Sequence, residues 1–271
     1  MSTSTPTRTT RIVELADGLT VAVDERGNTA KPGGSAVLLL HGGAGPFSVA
    51  ALAGALAERA YVITPTHPGF DGRPRPDWVD SVADLASAYL DLLDILDVRE
   101  VLVIGNSVGG WIASEMALRD NHKRIGGLVL LNAVGIRPDS PHRIASIAEA
   151  GPAEFLRLAW HNPALRPDPA AMDADRQAAM AANQQTMAVY ADDPYMHDPK
   201  LGRRLHRVTV PVLVAWGEHD GVVPAAYGRA YAGTFPDARF QLIPDAAHFP
   251  QIEQLGLTVE AVGEFVRGGF A

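Results

Sequence analysis

The stretch VLVIGNSVGGWIASEMAL, residues 101–118, limits the fold more than any other part of this chain. Its first half is apolar at successive positions, as expected of a strand covered on both faces, and its second half is a good helix former. Between them, Gly105 and Gly109 flank Ser107, so the chain turns sharply from strand to helix where two elements pass closely. A strand that is buried on both sides and feeds directly into a helix belongs to a parallel sheet covered by helices.

The rest of the chain repeats that alternation. Apolar β-prone runs at 36–40, 61–64, 127–131, 212–216 and 239–243 alternate with helical patterns at 49–59, 82–96, 111–119, 225–235 and from about 257 to 267. In the second helix Val82, Leu85, Ala86, Tyr89, Leu92, Leu93 and Leu96 recur at three- and four-residue spacing. Ahead of the first central strand, 11–15 and 19–25 flank Ala16-Asp17-Gly18 and predict an antiparallel hairpin. From 136 to 207 no β-prone run of useful length occurs, and proline-rich joints separate candidate helices at 143–150, 153–161 and near 170–190. The reading is a flexible tail at 1–10, an α/β core at 11–135 and 208–271, and an inserted helical segment at 136–207.

Composition excludes several classes of chemistry. The 271 residues include no cysteine, which removes disulfides, thiolate nucleophiles and cysteine metal sites. With a net charge of −8 and no Lys/Arg cluster, nucleic acid is not an expected partner. No stretch reaches the roughly 18 apolar residues of a membrane span, so no membrane partner is expected. The Ser/Thr-rich start lacks an apolar h-region, which favours the cytoplasm.

A serine raised at a strand-to-helix turn is the arrangement of a nucleophile elbow, G-x-S-x-G. The following helix N-terminus offers the Val108 N–H to a developing oxyanion. A serine hydroxyl needs a base, an acid to hold the base, and a second oxyanion donor. His248 follows the last predicted strand and is the candidate base. Asp220, just past the 212–216 strand, is the candidate acid, with Glu218 as the competing carboxylate nearer the strand. The other position for an acid, after the 127–131 strand, holds Asn132, which carries no charge. For the second donor, His41-Gly42-Gly43 follows the first central strand, and Gly43 is the candidate, with Ala44 behind it. His41 reads as a brace for that loop, His67 as part of a structural turn at Pro68-Gly69, and His219 as a rim residue.

These motifs together, HGG at 41–43, HPGFDG at 67–72, GNSVGG at 105–110, WGEHDGVVP at 216–224 and DAAHFPQIE at 245–253, resemble those of the α/β-hydrolase superfamily. The resemblance implies a mostly parallel, eight-stranded sheet flanked by helices, with the inserted segment forming a helical cap over Ser107. Within the superfamily the chain is similar to capped small-molecule esterases and to the meta-cleavage-product hydrolases, which split C–C bonds in vinylogous diketones. The latter commonly carry an asparagine before the nucleophile, as Asn106 does here. Their loop usually reads HGxGPG, where this chain has HGGAGP, and a tryptophan commonly follows their histidine, where this chain has Phe249. Asn106, Ala44 and Phe249 are therefore the candidate substrate contacts. Arg176 is the candidate for the arginine those enzymes carry on the cap, and Trp160, Phe155, Met187 and Tyr190 are candidate pocket residues. Haloalkane dehalogenases and epoxide hydrolases share the layout but use an aspartate where this chain has Ser107.

The function expected from these residues is hydrolysis of a small carboxylic ester through an acyl-enzyme on Ser107. Cleavage of a C–C bond of the meta-cleavage type is the second reading, and a binding protein that keeps the fold without turnover the third. No metal or organic cofactor is required, and the expected partner is a small-molecule substrate. Oligomeric state is left open, a homo-oligomer included.

Overall fold

The computed structural model describes residues 8–27, 35–138, 143–168 and 171–268. Residues 1–7 of the expected tail and residue 170, at the start of the helix expected near 170–190, lie outside them. The chain opens with β1 (Arg8–Glu14) and β2 (Thr20–Arg26), paired antiparallel around a turn where Asp17 takes φ 54° and Gly18 φ 73°. The hairpin expected around Ala16-Asp17-Gly18 is present, and its first strand includes residues 8–10, which the sequence assigns to the tail. Residues 8–10 pair with 24–26, and Arg8 lies 2.8 Å from the Asp24 carboxylate. A Thr-rich edge strand has β propensity without an apolar period, so hydropathy alone stops short of it.

Next come β3 (Ser35–Leu40), α1 (Ala50–Leu56), β4 (Val62–Thr66), α2 (Val82–Ile95), β5 (Arg99–Asn106), α3 (Val108–Arg119) and β6 (Ile125–Leu131). β4 continues through Pro65, which sits opposite Val23 of β2. α2 starts at a capping box in which Ser81 Oγ accepts from Asp84 N at 3.2 Å and Asp84 Oδ2 accepts from Ser81 N at 3.1 Å. α3 begins at Val108, three residues earlier than the sequence pattern predicts, because the helix starts directly at the Ser107 turn.

After β6 a two-residue strand β7 (Gly135–Ile136) leads into α4 (Ile147–Ala150), α5 (Pro152–Ala159) and α6 (Ala174–Ala191). A second short strand, β8 (His197–Asp198), pairs with β7. The helix expected over 143–150 shrinks to four residues because Ser146 caps it, accepting from Glu149 N at 3.1 Å. The helix expected near 170–190 starts at Ala174, where the Asp173 carboxylate accepts from Arg176 N at 2.7 Å. The chain closes with β9 (Val212–Gly217), α7 (Ala225–Ala232), β10 (Ala238–Ile243), α8 (Pro250–Glu253) and α9 (Leu255–Arg267), so the final helix is split at Gln254.

The eight long strands form one sheet in the order β1-β2-β4-β3-β5-β6-β9-β10, parallel throughout except for the two pairings of β2. Successive residues of the central strands feed opposite faces. Leu38, Leu40, Val103, Leu128, Leu130, Val214 and Trp216 pack with α2, α3 and α7 on one side. Val37, Leu39, Leu102, Ile104, Val129, Leu131, Leu213 and Ala215 pack with α1 and α9 on the other. Covering both faces is what makes these strands read as continuous apolar runs, and it brings the C-terminal ends of β3, β5, β6, β9 and β10 to one edge.

The helical segment between β7 and β9 docks on that edge mainly through α6. Asn183 Nδ2 donates to Asp71 Oδ1 at 2.9 Å while Asp71 N donates to Asn183 Oδ1 at 2.8 Å. One turn on, Thr186 Oγ1 donates to Gly69 O at 3.0 Å, and Tyr190 OH donates to Pro68 O at 2.9 Å. Asn183, Met187 and Tyr190, spaced four and three apart, form the buried face of an otherwise polar helix. No helix among the described residues is long and apolar enough to cross a membrane.

Candidate active site

Ser107 sits between β5 and α3 with φ 55° and ψ −119°, a conformation rarely taken by a residue with a side chain. Such a backbone costs about 1–3 kcal/mol and persists only where its surroundings enforce it. Here the surroundings are backbone. A Cβ at Gly105 would lie 2.2 Å from Gly109 O, and one at Gly109 would lie 2.3 Å from Leu40 O. Ser107 N donates to Leu131 O at 2.9 Å, and Ser107 O accepts from Gly110 N and Val134 N, so both sides of the turn are tied to neighbouring strand ends. Val108 is the first residue of α3, and its N–H has no acceptor within the helix.

The loops after β9 and β10 meet beside this turn. His248 Nδ1 lies 2.9 Å from Asp220 Oδ2, both side chains being buried. A carboxylate only accepts, so Nδ1 carries the proton and Nε2 is left as the ring's basic nitrogen. The other Asp220 oxygen accepts from Val222 N at 2.8 Å and Val223 N at 3.0 Å. Glu218, the competing carboxylate, is exposed. Asn106 joins the loops to the serine turn: its Nδ2 donates to Leu131 O at 3.1 Å and to His248 O at 3.2 Å.

The loop after β3 closes against the same point. A side chain on Gly42 would begin 2.8 Å from Ser107 Cβ, so only glycine allows this approach. His41 and His67 support the loop from beneath. His41 Nε2 accepts from His67 N at 3.1 Å, His67 Nε2 donates to His41 O at 2.8 Å, and Tyr89 OH bonds His67 Nδ1. Both rings are fully buried, and burial lowers the His41 pKa to about 4 and that of His67 well below the ordinary histidine range.

This fixes a pH dependence. Each ring is neutral when folded and protonates near pH 6.5 when unfolded, so the unfolded chain binds more protons below that pH. Stability is therefore complete above pH 6.5 and falls as the pH drops towards 4, by up to about 1.4 kcal/mol per pH unit for each ring. Denaturant melts should show lower stability at pH 5 than at pH 7; a flat profile would contradict the account.

Residues 37–261 match the alpha/beta hydrolase family. The chain belongs to that family. It is 26% identical over 260 residues to an uncharacterized protein of Mycobacterium tuberculosis, covering 86% of this chain and 75% of that one. It is 26% identical over 273 residues to the 2-hydroxy-6-oxo-6-phenylhexa-2,4-dienoate hydrolase of Burkholderia cepacia, covering 87% and 89%. Among solved structures, a thermophilic esterase from Thermogutta terrifontis superposes with a TM-score of 0.73 at 26% identity, covering 98% of this chain and all (100%) of that one.

Within this alpha/beta hydrolase the other candidate residues take different positions. Gly43 faces the helical segment: a Cβ there would lie 3.8 Å from Met187 of α6. Phe249 is buried and packs against Trp160 at 4.9 Å between centroids, the rings tilted by 33°, and edge-on to His248 at 5.2 Å, linking the end of α5 to the histidine loop. Ala44 and Phe155 are partly buried against the main core. Tyr190 is spent on docking α6 to Pro68, and Arg176 stacks over the exposed Phe47 ring at 5.1 Å. Asn106 is fully buried and engaged with two carbonyls.

Sequence reasoning passed over two residues. Asn132, with φ 47°, donates through Nδ2 to Asp220 Oδ2 at 2.6 Å and to Ala247 O at 3.2 Å, while its Oδ1 accepts from Gly217 N. The sequence marks it only as a residue without charge, although its place at the end of β6 is the signal. Glu253 accepts from Ala247 N and Asn162 N, both at 2.7 Å, and so holds the histidine loop to the helical segment. Asn132→Ala removes a charge-assisted hydrogen bond to Asp220 worth about 1.5–3 kcal/mol. It is expected to lower kcat by about ten- to a hundred-fold with little change in KM, read by steady-state kinetics.

Proposed function

We propose that this alpha/beta hydrolase cleaves a small carboxylic ester through an acyl-enzyme on Ser107. The observation that carries the reading is His248 held through Nδ1 by a buried, fully hydrogen-bonded Asp220, beside a strained serine at the head of a helix. In this mechanism His248 Nε2 takes the Ser107 proton as Oγ attacks the acyl carbonyl. Asp220 stabilises the imidazolium, and the Gly43 and Val108 N–H groups donate to the oxyanion. His248 then protonates the departing alkoxide as the C–O bond breaks. Water, deprotonated by His248, attacks the acyl-enzyme, releasing the acid and restoring Ser107. None of these steps requires a metal or an organic cofactor. The segment 136–207, read as a cap, sets the shape of the acyl site through Met187 and Trp160.

C–C hydrolysis is the second reading, because the Burkholderia cepacia relative is a dienoate hydrolase. The ester reading is favoured on two grounds. The Thermogutta terrifontis esterase covers 98% of this chain, and Asn106, the local hint of C–C chemistry, is engaged through Nδ2 in holding Leu131 and His248. A spectrophotometric comparison of short-chain p-nitrophenyl esters with coloured ring-fission dienoates tests the choice. Higher kcat/KM on the esters is expected; a strong preference for the dienoates would reverse it.

A further inference from the structure

On the outer side of the same loops, three exposed side chains from distant parts of the chain come together. His161 follows α5, His219 precedes Asp220, and Asp245 follows β10; their candidate ligand atoms all lie within 4.8 Å of one another. The two imidazoles stack with centroids 4.1 Å apart and planes 12° from parallel, and His161 Nε2 lies 3.9 Å from Asp245 Oδ1. We infer that His161, His219 and Asp245 form a site for one divalent transition-metal ion of the zinc type, with water completing its coordination.

The chemistry of the donor set selects the ion. Two imidazoles and one carboxylate suit zinc, nickel or copper, whereas calcium and magnesium prefer all-oxygen sites. Tetrahedral zinc with bonds of about 2.0–2.2 Å needs ligand atoms about 3.3 Å apart, so the three groups have to close by up to about 1.5 Å, and the two rings have to rotate out of their stack to aim their nitrogens at one ion. Their exposure permits this, since small rotations open the ring stack without disturbing packed neighbours.

The backbone beneath is already fixed. His219 N donates to Ala246 O at 2.9 Å, Gly221 N to Leu158 O at 3.0 Å and His248 N to Ala159 O at 3.0 Å. The Glu253 carboxylate ties Asn162 N to Ala247 N. An ion here clamps the end of α5 to the loops that carry Asp220 and His248. It takes no part in the hydrolytic steps, because His219 faces solvent while Asp220 faces the interior.

Titration of the full chain with Zn²⁺ by isothermal calorimetry tests the site. The expected result is one ion per chain, with Kd raised about ten-fold or more in His161→Ala and in His219→Ala, and no measurable binding of Mg²⁺. Asp245→Asn, which keeps a residue suited to φ 51° at that position, should also weaken binding. Metal-free melting temperatures matching wild type show that the variants are folded. Absence of saturable Zn²⁺ binding by wild type, or an unchanged Kd in His161→Ala, would overturn the assignment.

Discussion

Ser107→Ala is expected to lower kcat on a short-chain p-nitrophenyl ester by about 10⁶-fold, the loss typical of removing a serine nucleophile. The melting temperature should stay close to wild type. The backbone that holds position 107 at φ 55° is enforced by the close approach of Gly105, Gly109 and Leu40, and alanine meets those constraints as serine does. The two readouts separate chemistry from folding, because a variant that loses activity by unfolding loses both. Residual activity within ten-fold of wild type would remove Ser107 from the mechanism.

Asp220→Asn should cost about 10⁴-fold in kcat, because an amide facing His248 Nδ1 favours the wrong imidazole tautomer. Its stability should fall as well. The Asp220 carboxylate accepts from Asn132 Nδ2, Val222 N, Val223 N and His248 Nδ1. An amide can face the two backbone donors with its oxygen, but its NH₂ then opposes the Asn132 NH₂ at what is now a 2.6 Å contact. One unsatisfied or opposed buried donor costs about 1–3 kcal/mol, which urea denaturation resolves. An Asp220→Asn variant with full stability and near-normal kcat would show that Asp220 is a turn residue only.

The central sheet was legible because its strands are covered on both faces, so Leu38 to Leu40, Val101 to Ile104 and Leu128 to Leu131 read as unbroken apolar runs. The strand-to-helix joint was legible because only glycine fits at 105 and 109, and chain order pointed to Asp220 and His248, which meet at 2.9 Å. What was missed depends on bonds between distant residues or on elements too short to have a period. β1 begins at Arg8 because Thr-rich backbone pairs with β2, and β7 and β8 are two residues each. The starts of α4 and α6 are set by single caps at Ser146 and Asp173. Asn132 was read for the charge it lacks, whereas its amide is what the Asp220 carboxylate uses. The Asn106 Nδ2 bonds to the Leu131 and His248 carbonyls join residues far apart in the chain and leave no local mark in the sequence.

The most direct test of the central claim is to treat the protein with a fluorophosphonate and locate the adduct by peptide mapping. The account predicts a single adduct on Ser107, absent from Ser107→Ala and formed much more slowly in Asp220→Asn. An adduct on another residue, or wild-type protein that hydrolyses esters while Ser107 stays unlabelled, would contradict it.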